Sequence, residues 1–382
     1  MAKSINRDRP HILVLTGEAS GDLHASNLVK ALLSLENPPR VSAFGGPLLR
    51  KAGARLVKDM RAYSVVGISE VLKMLPNFLS LKKYVETWVV KEQPAFVILI
   101  DYPGFHLKLL PFLAKRVPVI WYIPPKVWVW KEKRAELLEK YCSKVFSIFP
   151  FETKYYPKKG AFLGHPLADC IKEPMERDVF LEEKGLSPEK RYIGLIPGSR
   201  VQEIKSLLPI YLEAAVKLAS KHRGVEFILP RAGNLDKKLI NRYVSRYKNI
   251  KIHVISDRIH DVMNACELLI CTSGTVTLEA GFLKRPMIIC NKGSFITWLA
   301  FKTLSKSEFL GLPNILAGKE ICPELLQKDA NPEKLYEVAG NILTSASLKS
   351  KQVEELEKHV SPLFEKGVSQ RIAEAIESEF MQ

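Results

Sequence analysis

Short apolar runs rich in β-branched residues recur along this chain, and the segments between them place their apolar positions three and four residues apart. The first series comprises His11 to Thr16, Val41 to Phe44, Phe96 to Ile100, Val119 to Tyr122 and Lys144 to Ile148. The second comprises Tyr192 to Ile196, Glu226 to Leu229, Lys251 to Val254, Leu268 to Cys271 and Met287 to Ile289. Continuous apolar runs suit strands buried on both faces, and amphipathic segments between them suit crossover helices, so the pattern predicts an α/β protein with doubly wound parallel sheets. A polar stretch from Cys170 to Arg191, carrying Pro174 and Pro188, separates the series and reads as a linker with one short helix. The predicted domains are 1–167 and 168–344, with helices in 345–382 packing on the first domain or on a partner subunit.

With 382 residues, 47% of them hydrophobic and 26% charged, the chain is long enough for two cores. A formal charge of +16 favours phosphates or an anionic bilayer surface as partners. Basic residues are spread along the chain rather than gathered into an arm, so nucleic acid is not expected. The six cysteines form no CxxC pair and have no histidines at zinc spacing, so no metal is expected through them. No run approaches the roughly 18 apolar residues of a membrane-spanning helix, and the polar start lacks a signal-peptide core. The expectation is a cytoplasmic chain whose membrane contact is peripheral.

Ligands of doubly wound sheets bind outside the carboxyl ends of the strands, and the loops found there carry the candidate chemistry. After Ile196 come Pro197, Gly198, Ser199 and Arg200, a small-residue turn opening a helix, with a guanidinium suited to phosphate. After Cys271 come Thr272, Ser273, Gly274 and Thr275, then a helix whose Glu279 could accept bonds from ribose hydroxyls. The chain has neither GxGxxG nor a Walker-A lysine, which turns the reading from dinucleotides and triphosphates toward a nucleotide-sugar. No Asp-x-Asp pair offers ligands for a divalent metal, so helix termini and Arg200 would have to stabilise a leaving diphosphate. In the first half, the turn Gly17 to Asp22 is too acidic for phosphate and better suited to sugar hydroxyls. Asp101, directly after an apolar strand, is the first choice for a general base, against the alternative of an Asx-type turn residue. The segment from Val65 to Leu79 carries Val66, Ile68, Val71, Leu72, Met74, Leu75 and Phe78 in a broad apolar stripe flanked by Lys73, Lys82 and Lys83. That stripe reads as a core helix or as an interfacial one.

Taken in order, TGEASGD at 16–22, VGISEVL at 66–72, IDYPGF at 100–105, YIPPKVWVW at 122–130, FPFE at 149–152, GHPLAD at 164–169, IPGSR at 196–200, TSGTVTLEA at 272–280, LPNILAG at 312–318 and PELLQ at 323–327 resemble the lipid-A-disaccharide synthase family. The resemblance spans most of the chain. It implies a GT-B fold, two Rossmann-like domains facing across a cleft, and an inverting transfer from UDP-2,3-diacylglucosamine to 2,3-diacylglucosamine 1-phosphate (lipid X), without metal or cofactor. It further implies that Asp101 is the essential carboxylate and that Glu18 and Ser20 line the acceptor side. Gly198, Ser199, Arg200, Ser273, Gly274, Thr275, Glu279 and Asn314 would hold the UDP-sugar, and Val66 to Phe78 would form a membrane-docking and acyl-binding surface. A peripheral protein on the inner face of the bacterial inner membrane, and a homodimer with exchanged C-terminal helices, are part of the same implication. The chain departs from the family pattern at Gly104, at Pro124 to Lys126 and at Asn291 and Lys292. Rival readings are another GT-B enzyme, such as a UDP-N-acetylglucosamine transferase or 2-epimerase, and a basic membrane-associated scaffold.

Overall fold

The computed structural model describes residues 9–63, 74–129, 131–293 and 307–381. The chain forms two compact units, one made of the residues up to Cys170 and those from Glu365 onward, the other of Ile171–Phe364. In the first unit, β1 (His11–Leu15), β2 (Arg40–Gly45), β3 (Arg55–Asp59), β4 (Phe96–Ile100), β5 (Val119–Tyr122), β6 (Lys144–Ser147) and β7 (Gly160–Phe162) form a sheet in the order β3-β2-β1-β4-β5-β6-β7. In the second, β8 (Arg191–Ile196), β9 (Val225–Arg231), β10 (Ile252–Ser256), β11 (Leu268–Thr272), β12 (Met287–Asn291) and β13 (Glu324–Leu326) take the order β10-β9-β8-β11-β12-β13. Neighbouring strands are parallel throughout both sheets.

These are two Rossmann-like α/β units, and the apolar runs explain them. All residues of β4 and of β11 are buried, because helices cover both faces of each sheet. In each sheet the winding reverses at the centre, between β1 and β4 and between β8 and β11, and these switch points open crevices at the carboxyl ends.

The strands that the apolar pattern did not predict are β3, β7 and β13, and each lies at the edge of its sheet. An edge strand is covered incompletely, so Arg55–Asp59 mixes charge into its run, and the other two are too short to stand out.

The expected assignment of the whole tail, 345–382, to the first domain or a partner needs correction. The helix Ala346–His359 stays with the second unit, where the buried Gln352 accepts a bond from the Met287 amide at 2.6 Å and donates to the carbonyls of Met287 and Ile321 at 3.1 and 3.2 Å. Only the last helix, Val368–Phe380, joins the first unit, packing on the helix Ala19–Leu33. Asp169 fixes its start by accepting from the amides of Gly367, Val368 and Ser369 at 2.8, 3.1 and 2.7 Å. A carboxylate at a helix N-terminus satisfies orphan amides and opposes the helix dipole.

Candidate active site

At the first unit's switch point, β1 leads through Thr16, Gly17 and Glu18 into the helix Ala19–Leu33, and β4 leads through Asp101 and Tyr102 into the helix Pro103–Leu113. Asp101 and Tyr102 have φ values of 51° and 54°, a left-handed pair of non-glycine residues. Each such residue costs on the order of 1 kcal/mol, so the surroundings must impose the turn. The Asp101 amide donates to the Tyr122 carbonyl at 3.0 Å, and the Tyr102 hydroxyl donates to the Tyr63 carbonyl at 2.7 Å. His106 Nδ1 lies 2.6 Å from the Asp101 carbonyl oxygen. A carbonyl only accepts, so Nδ1 carries a proton. Burial pushes the pKa of His106 down to about 4, so near neutral pH the ring is neutral with its proton on Nδ1. Gly17 is needed here because a Cβ would stand 2.3 Å from the Tyr102 ring.

This frame holds a carboxylate with unusual basicity. Burial, then the negative charge of Glu18, raises the pKa of Asp101 to about 6, while the Tyr102 amide and Lys126 pull the other way. Lys126 keeps part of its side chain in solvent, yet desolvation of its ammonium lowers its pKa against the pull of Glu152 and Asp101. Glu152, 1% exposed, accepts from Trp128 Nε1 at 2.8 Å and from the amides of Ile148 and Phe149 at 3.1 and 3.2 Å. Burial nevertheless lifts its pKa to about 7. Nearby His165 is buried, and its Nδ1 accepts from the Leu167 amide at 3.2 Å, with its pKa driven down to about 3 by burial, His24 and Lys126.

Glu18 and Ser20 are exposed beside this site. Asp22 is not free for sugar hydroxyls: it is 4% exposed and accepts from the amides of Gly46, Leu48 and Leu49 at 2.9, 2.9 and 3.3 Å, capping the helix Pro47–Lys51. A recess of about 300 Å³, lined among others by Glu18, Phe78, Tyr102 and Lys108, adjoins the turn. Of the expected acyl and membrane residues, Val66, Ile68, Val71 and Leu72 lie outside the described residues. Met74 precedes the helix Leu75–Glu92, on which Leu75 and Leu79 are exposed while Phe78 packs on Tyr63 and Phe105 at ring separations of 6.1 and 6.2 Å.

In the second unit, Gly198 turns the chain with φ 113°, and Arg200 begins the helix Val201–Lys221. Glu203 occupies the amides there, accepting from Ser199 and Arg200 at 3.0 and 3.1 Å and from Arg200 Nη1 at 3.2 Å. A Cβ at Gly198 would sit 2.1 Å from Glu203 Oε2. The expected phosphate contact at these amides is therefore replaced by an internal carboxylate, a capping-box arrangement, and the 78%-exposed Arg200 side chain is what remains to meet an anion. At the other side of the switch point, Ser273 Oγ donates to the Leu310 carbonyl at 3.1 Å, Gly274 has φ 158°, and Thr275 precedes the helix Val276–Phe282. Glu279 pairs with His260 at 2.8 Å.

Asn314 corrects another expectation. It is fully buried, donating to the Cys322 carbonyl and Glu324 Oε1 and accepting from the amides of Ile321 and Cys322, all at 2.8 Å. No hydrogen-bonding group of this amide is left for a nucleotide. Glu324 also takes the amides of Leu310 and Gly311, each at 2.9 Å, so the Asn314–Glu324 pair shapes the loop that receives Ser273. His106 and His260 are the residues that sequence reasoning passed over, since a lone histidine on a helix carries no spacing signal. Among the described residues no cluster of three or more His, Cys, Asp or Glu is placed to hold a metal ion, and no helix is long and apolar enough to cross a membrane.

Residues 12–379 match the family described as lipid-A-disaccharide synthetase. The lipid-A-disaccharide synthase of Geobacter sulfurreducens is 37% identical over 371 residues, covering 95% of either chain, and that of Anaeromyxobacter sp. is 34% identical over 371 residues, covering 96% of either. The chain belongs to the lipid-A-disaccharide synthase family. It is thus a glycosyltransferase of lipid A biosynthesis, and Asp101 and Arg200 lie in two of the motifs on which the resemblance was drawn. Among solved structures, UDP-GlcNAc 2-epimerase of Neisseria meningitidis bound to UDP-GlcNAc aligns with TM-score 0.64 at 12% identity, covering 97% of this chain and 100% of that one. A glycosyltransferase of Rickettsia africae aligns with TM-score 0.58 at 16% identity, covering 98% and 99%. These likenesses establish the GT-B type of fold.

Proposed function

We propose that the protein transfers 2,3-diacylglucosamine from UDP-2,3-diacylglucosamine to lipid X, with inversion at the anomeric carbon and release of UDP. The observation that carries this reading is Asp101: a carboxylate at the carboxyl end of β4, held in a left-handed turn, with a pKa raised to about 6. A base near neutrality is ionised at pH 7 yet strong enough to take a hydroxyl proton. In this reading the acceptor hydroxyl gives its proton to Asp101 as its oxygen bonds to the anomeric carbon, and the bond from that carbon to the UDP oxygen breaks. Arg200 and the Ser273 to Thr275 turn meet the departing diphosphate, Glu279 meets the ribose, and Glu18 and Ser20 meet the acceptor. No metal or cofactor is assigned to the step.

The charge of +16 and the exposed Leu75 and Leu79 support docking on the anionic inner face of the inner membrane. A homodimer with exchanged C-terminal helices would make the Asp169 to Gly367 contacts between chains instead of within one, which light scattering with a crosslink across that contact would detect.

The test is incubation of the purified protein with both lipids in detergent micelles containing EDTA, with mass spectrometry for disaccharide and UDP. Both products are expected from the natural chain and neither from Asp101→Asn. A folded natural chain that binds UDP but forms no disaccharide would overturn the reading, and full turnover by Asp101→Asn would remove the assigned base.

A further inference from the structure

The recess beside the Asp101 turn has a chemistry of its own. Phe78, Leu79 and Phe105 give it apolar walls, and Glu18, Lys82 and Lys108 give it charge. Lys82 is already engaged, its Nζ 2.7 Å from Glu86. Lys108, exposed on the helix Pro103–Leu113, makes no ion pair among the described residues. It stands one helical turn beyond Gly104, where a Cβ would meet nothing within 4 Å, so this face of the helix opens onto the recess.

We propose that Lys108, assisted by Lys82, reads the phosphomonoester of the acceptor lipid in this recess. The inference rests on the acceptor reading given above and names the residue that selects the phosphorylated acceptor over a neutral one. An ammonium with no ion pair among the described residues, beside apolar walls, matches a ligand that is acylated and anionic at once, and desolvation on binding strengthens the charge pair. Glu18 supplies the orientation. Its carboxylate repels a phosphate and accepts from hydroxyls, so the phosphate end of the sugar is driven toward Lys108 and the hydroxyl end toward Asp101. The helix starts at Pro103, just past the Asp101 turn, and at 1.5 Å of rise per residue Lys108 stands about 7.5 Å further along it, a spacing fit for one phosphorylated sugar ring.

The experiment compares 2,3-diacylglucosamine 1-phosphate with its phosphate-free counterpart as acceptors, using the full-length protein and the variants Lys108→Gln, Lys82→Gln and, as a control outside the recess, Lys83→Gln. Lys108→Gln is expected to raise KM for the phosphorylated acceptor about tenfold, the size of one lost charge-assisted contact. Its kcat, its KM for the UDP-sugar and its use of the phosphate-free acceptor should stay as in the natural chain. Lys82→Gln should do less because Glu86 already shares its charge, and Lys83→Gln should leave the preference for the phosphorylated acceptor over the phosphate-free one unchanged. Equal losses on both acceptors, or no loss on either, would overturn the proposal. So would a loss that follows binding to phosphatidylglycerol vesicles, which would assign the lysine to the membrane surface. Equilibrium binding of the two lipids in micelles reads the lysine apart from turnover: phosphate-dependent binding that vanishes in Lys108→Gln upholds the phosphate site even if no disaccharide forms, an outcome that would sink only the transferase reading.

Discussion

The role proposed for Asp101 sets chemistry against stability, and both sides of that trade can be measured with one substitution. Its carboxyl titrates near 3.8 when unperturbed and at about 6 in the folded protein, chiefly through burial and secondly through Glu18. Moving a carboxyl that far corresponds to about 3 kcal/mol, an upper value because residual solvent contact screens it. The sign follows from proton counting. Between pH 4 and 6 the folded state holds a proton that the unfolded state has released, so stability falls as pH rises through this window and the full penalty is present above pH 6. Asp101→Asn removes the penalty. Chemical denaturation should therefore find the variant more stable than the natural chain at pH 7.5, by up to about 3 kcal/mol, with the difference gone near pH 4. Activity should move oppositely: kcat/KM of the natural chain should bend near pH 6 and fall about tenfold for each unit below it, and Glu18→Gln should shift the bend to lower pH. An acid limb that ignores Glu18→Gln, or an Asp101→Asn protein whose stability advantage over the natural chain is no larger at pH 7.5 than at pH 4, would refute the reasoning.

Three further outcomes are expected. Asn314→Ala strips the 312–322 loop of its buried partners and should cost about 3 kcal/mol or more in denaturation, while UDP affinity of the folded protein, read by calorimetry, stays within a few-fold. Arg200→Ala should show the reverse, with stability unchanged because the side chain is exposed and UDP binding weakened about ten- to a hundredfold for a lost charge-assisted phosphate contact. Gly17→Ala pushes a methyl into the Tyr102 ring and should lower kcat more than it raises either KM, with loss of the Tyr102–Tyr63 hydrogen bond visible in a crystal structure of the variant.

The periodicity of apolar residues was sufficient to define the α/β class, the two parallel sheets and all their interior strands, because a strand buried on both faces must be apolar along its whole length. The same logic located the carboxyl-end loops and with them Asp101, Arg200, Ser273 and Glu279, and the ordered motifs named the family. What the sequence could not report was how each polar group is spent. Asn314 and Asp22 sit in motifs that look like ligand contacts, yet their hydrogen bonds go to amides brought near only by folding. Glu203 fills amides that a phosphate was expected to take. His106 carries no spacing signal and Glu152 only its place in the FPFE run, and their roles exist because folding buries them against the Asp101 turn and the Trp128 indole. The division of the tail was equally invisible, since Gln352 and Asp169 choose their partners 65 and about 200 residues away. Burial in a strand is a property of consecutive residues, legible in one dimension; the basicity of a carboxylate and the vacancy of an amide depend on what surrounds them in three.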